Sequence, residues 1–217
     1  MSSAMIDLIL RATLDTLYMV AVSGVISALV GIPLGVLLYV TRPGQVLAQP
    51  AVNGVLGIVT NIGRSIPFII LMVAIIPFTR MLVGTSIGTN AAAVPLTIAA
   101  IPFIARLVEG ALNEINPGLV EAAQSMGATP WQIIHKVLLP EARGGIFTAL
   151  TVTVVTLVSY SAMAGAVGGG GLGDLGIRYG YNRFNPTVML ITVAILVVMV
   201  QGFQSLGDYL VRKSDHK

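Results

Sequence analysis

The sequence predicts an all-α polytopic membrane protein with five transmembrane helices. Of its 217 residues, 55% are hydrophobic and only 10% are charged, whereas about 25% of residues are charged in typical soluble domains. The charged residues are also segregated, because four long stretches contain none: residues 16–41, 81–105, 144–173 and 184–207. Each stretch is longer than the roughly 20 apolar residues that cross a hydrocarbon core. This composition excludes a soluble globular protein.

The expected spans follow from these stretches and from a further apolar segment that only Arg64 interrupts. We expect a single transmembrane domain over residues 1–217. Its five helices are expected over residues 16–40, 53–78, 88–110, 146–167 and 186–210. The first apolar run is too long for the core of a cleaved signal peptide, and Asp7 and Asp15 dilute any basic segment before it. The first span is therefore expected to remain in the protein.

The distribution of basic residues predicts the orientation. Five spans place the two termini on opposite sides of the membrane, and the side richer in Lys and Arg faces the cytoplasm. The richer side consists of the loop after the first span, the loop 111–143 and the tail, with Arg42, Lys136, Arg143, Arg212, Lys213 and Lys217. The other side carries Arg11, Arg80, Arg178 and Arg183. We therefore expect the N-terminus outside, and the loop 111–143 and the C-terminus in the cytoplasm.

The residue content excludes several kinds of site. The absence of cysteine excludes disulfides and thiolate metal sites, and His135 and His216 are too far apart in sequence to suggest a metal site. A Lys/Arg stripe with interleaved aromatic residues, typical of nucleic-acid binding, is missing. The sequence has no G-x-x-x-x-G-K-[ST] motif and no lysine before Lys136, so it does not predict a nucleotide site. We expect neither a metal nor a cofactor in this chain.

The loop 111–143 carries the start and stop signals of two short helices. Asn116 is suited to be an N-cap with Pro117 at the first helical position, and Gly127 is a suitable helix stop. The segment 129–132 (TPWQ) starts the second helix with the residues of a capping box. Two well-capped helices are therefore expected between membrane spans.

The first of these helices is expected to present one apolar face, formed by Leu119, Ala122, Ala123 and Met126. A rigid exposed helix with an apolar face suits docking into a groove on a soluble partner. A solvated linker with an amphipathic helix on the membrane surface fits the same residues equally well.

A longer pattern in this loop distinguishes between these alternatives. Three residues separate Glu121, Ala122 and Ala123 from Gly127, and nine residues separate Gly127 from the segment 137–140 (VLLP). This pattern resembles the EAA motif of the membrane-spanning subunits of bacterial ABC importers, with valine where isoleucine is commoner. In that family the motif forms a coupling helix that inserts into a cleft on a separate ATP-hydrolysing subunit.

The resemblance implies a role for each matching residue of the loop. Contact with the ATPase would be made by Glu121, Ala122, Ala123, Gly127, Ala128, Thr129 and Pro130. ATP and Mg would be bound by the partner subunit, so this chain would be a transport subunit and not an enzyme.

Segments outside the motif extend the resemblance along nearly the whole chain. Residues 39–45, 64–71, 76–88, 102–112 and 158–173 are similar to permeases of D- and L-methionine uptake systems. The resemblance implies an inner-membrane homodimer with two ATP-binding subunits, an external substrate-binding protein and surrounding lipid. Permeases for other amino acids, glycine betaine or phosphonates share the coupling motif and remain alternatives. A secondary transporter without an ATPase is a more distant alternative, because it leaves the EAA pattern unexplained.

A glycine-rich segment and the residues before it raise two further questions. Gly168–Gly176 has the G-x-G-x-x-G spacing of dinucleotide sites, but it follows an uncharged stretch of helix length instead of a strand, so we expect a bend or turn. Before it, Tyr160, Ser161 and Met163 are candidates for the translocation pathway or gate. Methionine in a membrane helix is more often a packing residue, but the similar segment of methionine permeases lies along the pathway.

Three features within the spans have ordinary structural interpretations. Arg64 is expected to extend its charge toward the cytoplasmic boundary, with a role in the pathway as the alternative. Arg106 and Glu109 are expected to form a helix-surface pair. Gly31 and Gly35 have the spacing that permits close packing of two membrane helices.

Overall fold

A computed structural model describes residues 3–214 of the chain. These residues form α-helices joined by short turns, and no strand occurs among them. In chain order the α-helices are α1 (Ser3–Val40), α2 (Pro50–Ser65), α3 (Phe68–Ala74), α4 (Ile76–Val83), α5 (Thr89–Asn113), α6 (Pro117–Ser125), α7 (Pro130–Ile133), α8 (Leu139–Glu141), α9 (Arg143–Ala166), α10 (Gly171–Leu175) and α11 (Pro186–Ser214). Two π-helical turns, Ile134–Leu138 and Gly176–Tyr181, follow α7 and α10. His216 and Lys217 lie outside the described residues.

Four of these helices, α1, α5, α9 and α11, are long and apolar enough to cross a membrane, and a fifth span results if α2 and α3 count as one bent span. The predicted all-α polytopic fold is confirmed.

Helix α1 begins much earlier than the sequence suggested. It starts at Ser3 instead of near residue 16, and Asp7 and Arg11 form an ion pair of 2.9 Å one turn apart on its first part. At 1.5 Å per residue the helix is about 57 Å long, which exceeds a hydrocarbon core of about 30 Å. Asp7 and Asp15 therefore mark where the apolar segment of α1 begins, but the helix itself begins before them, at Ser3. The other long helices start and end within a few residues of the expected spans.

The second predicted span is broken, so the expectation of one helix over residues 53–78 is wrong. Helices α2 and α3 meet at an angle of 100°, and α4 continues the chain after Ile75. At the break, Ile66 has φ −82° and ψ 122°, the extended conformation that a following proline favours. Pro67 also lacks the N–H that would continue the helical hydrogen bonds.

Helices α1 and α5 pack in parallel and form the centre of the fold. The Ser23 hydroxyl donates a hydrogen bond of 3.1 Å to the Ala93 carbonyl. Further along the pair, a Cβ atom at Gly31 would lie 2.9 Å from Ile104, and one at Gly35 would lie 2.6 Å from the backbone of α5. Side chains at these two positions would push the helices apart, which confirms the close packing expected from their spacing.

The glycine-rich segment Gly168–Gly176 folds back against α1. It follows helix α9, and α10 begins within it. The Leu172 amide donates a hydrogen bond of 2.8 Å to the buried hydroxyl of Thr16. Because a dinucleotide site requires a strand before the glycines, this geometry rules out the dinucleotide interpretation and confirms a bend.

Candidate functional site

The ends of α6 have the predicted capping geometry. Asn116 accepts a hydrogen bond of 2.9 Å from the Gly118 amide at the start of the helix. After its last turn, Gly127 has φ +76°, and the Ala128 amide donates to the Ala123 carbonyl at 3.0 Å. A left-handed residue followed by this backward hydrogen bond is a common helix terminator that favours glycine. The chain therefore leaves α6 in one defined direction.

The next helix, α7, starts at Pro130, and Thr129 is its N-cap. The Thr129 amide donates a hydrogen bond of 2.9 Å to Gln132 Oε1, and the Gln132 amide donates one of 3.4 Å to Thr129 Oγ1. Both halves of the predicted capping box are thus present. Pro130 occupies the first turn, where its missing N–H needs no partner. The two helices and their short connection form one rigid corner.

Helix α6 has a buried face and an exposed face, and the division differs from the sequence prediction. Val120 and Ala123 are buried, whereas Leu119, Ala122 and Met126 are exposed, Met126 to 82%. The expectation that Ala123 shares a face with Met126 is therefore wrong. Spacing alone allows either grouping, since Ala123 is three residues from both Val120 and Met126; burial places it with Val120, and Leu119, Ala122 and Met126 form the other face. We call these last three residues the exposed face of α6.

The remaining residues of the predicted coupling contact lie around this face. Glu121, Gly127, Thr129 and Pro130 are exposed, and Ala128 is half-buried. The sequence analysis did not single out Trp131, which is exposed and packs against the ring of His135 with a centroid distance of 3.9 Å.

The buried face of α6 is anchored on the ends of the long helices. Val120 and Ala123 belong to one apolar cluster with buried residues of α1, α5, α7 and α9 and of the π-helical turn after α7: Val36, Tyr39, Val40, Ile104, Val108, Leu112, Ile133, Ile134, Leu138 and Ala149. This cluster joins α6 to the ends of these helices without a break.

A buried charge network lies beside this cluster. Glu109 is only 3% exposed, and its carboxylate contacts Arg106 at 2.6 Å and Arg42 at 2.7 Å. Arg42 also donates to Asn113 at 2.6 Å, and Arg106 donates to the Gly57 carbonyl at 3.1 Å. The expectation of an ordinary helix-surface pair is wrong, because the third partner comes from the loop after α1. The network joins the C-terminal part of α5 and the loop after α1 to the middle of α2.

The three candidate gate residues point in different directions. Tyr160 stacks on Phe68 of α3 with a ring-centroid distance of 4.5 Å. Ser161 is buried and donates to the Val158 carbonyl at 2.7 Å. Met163 is 47% exposed and lines an apolar cavity of about 670 Å³ together with Ile69 and residues of α11. Of the three, Met163 alone faces this cavity.

Within residues 3–214, no group of three or more His, Cys, Asp or Glu side chains is arranged to hold a metal ion. His216, the second histidine considered in the sequence analysis, lies outside that range.

The fold and the coupling loop are matched by a known family. Residues 31–216 match the family model of the inner membrane component of binding-protein-dependent transport systems. The chain belongs to this family. The permease is therefore a multi-pass inner-membrane protein and a transport component, not an enzyme.

Two curated relatives are highly similar to the permease. It is 62% identical over 211 residues, 97% of this chain and 94% of the relative, to a probable D-methionine transport system permease protein MetI of Vibrio cholerae serotype O1. It is 58% identical over 165 residues, 76% of each chain, to the D-methionine transport system permease protein MetI of Yersinia pestis.

Two solved structures share the fold. A structure titled as inward facing conformations of the MetNI methionine ABC transporter matches with a TM-score of 0.97 at 55% identity, over 100% of both chains. A crystal structure of an amino acid ABC transporter with histidines matches with a TM-score of 0.79 at 20% identity, over 97% of this chain and 95% of that one. The second match shows the fold alone.

Proposed function

We propose that this permease imports D- and L-methionine across the bacterial inner membrane as part of an ATP-driven importer. The observation that carries the coupling role is the two-sided packing of α6. One face is fixed in the apolar cluster with α1 and α5, and the other, with Leu119 and Met126, is exposed. An apolar helix face of this kind is the usual anchor for docking into a groove.

The proposed partner on this face is an ATPase subunit that carries ATP and Mg. The contact is made by Glu121, Ala122, Gly127, Thr129 and Pro130, which are exposed, and by Ala128 at the edge. Ala123 supports the contact from behind, since it is buried under the helix. Closure of the ATPases around ATP then moves α6, and the continuous cluster moves the long helices with it.

The substrate assignment rests on the relatives, which are named for D-methionine transport, and on the match to a methionine ABC transporter. The apolar cavity lined by Met163 and Ile69 suits an apolar thioether side chain. Permeases for other amino acids, glycine betaine or phosphonates have the same coupling pattern, so transport assays need to compare these solutes directly.

The proposed assembly is a twofold homodimer with two ATPase subunits and an external substrate-binding protein, embedded in lipid. A five-span subunit is too small to enclose a route for an amino acid alone, and twofold dimers are the commonest closed assemblies. In this arrangement the N-terminus lies outside, and α6 and the C-terminus lie in the cytoplasm. Met163 lies along the pathway near the dimer axis and acts as an apolar gate.

A charge introduced on the exposed face tests the coupling role. Met126→Glu places a carboxylate where an apolar groove is expected, and a buried unpaired charge is strongly unfavourable. We expect the variant to insert normally but to lose copurification with the ATPase subunit and ATP-dependent methionine uptake in proteoliposomes.

Gln124→Glu is the matched control, because it adds the same charge to an exposed residue on another side of α6. It should retain both copurification and uptake. If Met126→Glu copurifies and transports as well as the control does, the exposed face of α6 is not the docking surface.

A further inference from the structure

Arg64 is a cation without a partner among the described residues, in an apolar part of the fold. It lies in the last turn of α2 and is exposed. Among residues 3–214, no ion pair or hydrogen bond involves its guanidinium group. Arg42, Arg106 and Arg178 all contact carboxylates in the same structure.

The packing of α2 places Arg64 halfway along the spanning helices. Helix α2 runs antiparallel to α5, because Gly57 contacts Arg106 near the end of α5 and Gly63 packs against Pro102 in its middle. At 1.5 Å per residue, Arg64 is about 20 Å from the start of α2. Arg64 therefore lies level with the middle of α5, and the extension of its charge toward the cytoplasmic boundary stays a prediction. An ionisable residue within a membrane-spanning segment is rare, and such residues commonly mark substrate or ion pathways.

No acidic residue of the described chain lies at this depth. One end of the fold carries Asp7, Asp15 and Asp174, and the other carries Glu109, Glu114, Glu121, Glu141 and Asp208. A twofold axis normal to the membrane keeps each residue of the second copy at the same depth. The partner copy therefore brings no carboxylate of the described residues to Arg64 either.

Arg64 is five residues along the chain from Ile69, which lines the cavity of the proposed pathway. The break between α2 and α3 follows directly, and Phe68 beyond it stacks on Tyr160. The next residue, Ile69, lines the same cavity as Met163. One turn before Arg64 in sequence, the buried hydroxyl of Thr60 has no hydrogen-bond partner among the described residues. This stretch of α2 therefore carries two polar groups that the internal packing leaves unpaired.

We propose that Arg64 binds the α-carboxylate of the transported amino acid as it passes the break between α2 and α3. This inference rests on the proposed function, since it assumes an amino-acid substrate. A guanidinium group can bind a carboxylate with two parallel hydrogen bonds, which supplies orientation as well as charge. The side chain of the amino acid is then directed toward the apolar cavity beside Met163. Arg64 thereby selects for solutes that carry a carboxylate.

Initial uptake rates in proteoliposomes with the ATPase and the binding protein test this proposal. Arg64→Gln should reduce methionine uptake about tenfold or more, since hydrogen bonds to charged groups contribute enough for such a change. Arg64→Lys keeps the charge and should retain much of the uptake. Arg80→Gln is the control, because it removes another exposed cation and should transport at the wild-type rate. Melting midpoints of the purified variants check that they are folded.

Chemical protection of the unmodified transporter tests the same contact without a variant. Phenylglyoxal should label Arg64, L-methionine should slow that labelling, and methioninamide, which lacks the carboxylate, should not. Equal uptake by all variants, equal losses in Arg64→Gln and Arg64→Lys, or labelling that methionine does not change would each overturn the proposal. If the wild-type transporter moves another amino acid but not methionine, the substrate assignment fails while the contact with Arg64 is tested on that amino acid.

Discussion

The charge network around Glu109 gives a prediction whose magnitude follows from the structure. Glu109→Gln keeps the shape of the side chain but removes the carboxylate that, among residues 3–214, alone contacts both Arg42 and Arg106. Two cations then face one neutral side chain at the junction of α1, α2 and α5. The loss of this carboxylate should therefore destabilise the protein and not merely weaken one contact.

The expected loss lies near the lower end of the range for breaking a buried ion pair. Removing one partner of such a pair costs about 3–5 kcal/mol, because a buried charge is left uncompensated. The side chain of Glu109 is 4% exposed, but those of Arg106 and Arg42 are 21% and 38% exposed, so water partly solvates the remaining cations. We expect a loss of about 3 kcal/mol.

Melting midpoints of the purified transporter in detergent provide the assay. For a chain of this size, about 3 kcal/mol corresponds to a decrease of roughly 6–12 °C. Asp7→Asn is the matched control, since the Asp7–Arg11 pair is 62% and 75% exposed and such pairs contribute at most about 1 kcal/mol. The double variant Glu109→Gln/Arg42→Gln should melt at a higher temperature than Glu109→Gln alone, because one uncompensated cation is removed. Equal midpoints for Glu109→Gln and Asp7→Asn would refute the reasoning.

Three further predictions concern the loop, the topology and the gate. Gly127→Val should abolish copurification with the ATPase, because a β-branched residue is strained at φ +76°, whereas Gly127→Asn should retain it; equal behaviour of the two variants would count against this role of the turn. Alkaline phosphatase fused after Arg178 should be active and after Lys136 inactive, and the reverse pattern would place α6 outside the cytoplasm. The chain has no native cysteine, so Met163→Cys should crosslink two subunits under mild oxidant if the two Cα atoms of residue 163 lie roughly 4.4–6.8 Å apart. Addition of ATP and the ATPase should reduce this crosslinking. A variant that never crosslinks would indicate that Met163 is an ordinary packing residue.

The features that local sequence specifies were predicted well. The caps at Asn116 and Thr129 and the stop at Gly127 depend on residues within one helical turn. The close packing of Gly31 and Gly35 against α5 also follows from a local spacing. Such signals need no knowledge of which other segment approaches.

Features that depend on distant contacts were missed or misjudged. Pro67 was visible in the sequence, but the 100° turn that it permits is accompanied by packing of Phe68 on Tyr160, more than 90 residues away. Likewise, Arg42 forms an ion pair with Glu109, which is 67 residues away in sequence. The inward position of Ala123 depends on the apolar cluster that covers one side of α6. No local pattern distinguishes these outcomes from the alternatives.

ATP-dependent uptake of radiolabelled L-methionine tests the central claim most directly. Proteoliposomes would contain this permease, the ATPase subunit and the binding protein, with parallel samples that omit each partner. The account predicts methionine accumulation that requires ATP and both partners and that exceeds the uptake of glycine betaine or phosphonate. Methionine uptake that proceeds without the ATPase, or ATP-driven uptake of another solute in its place, would contradict it.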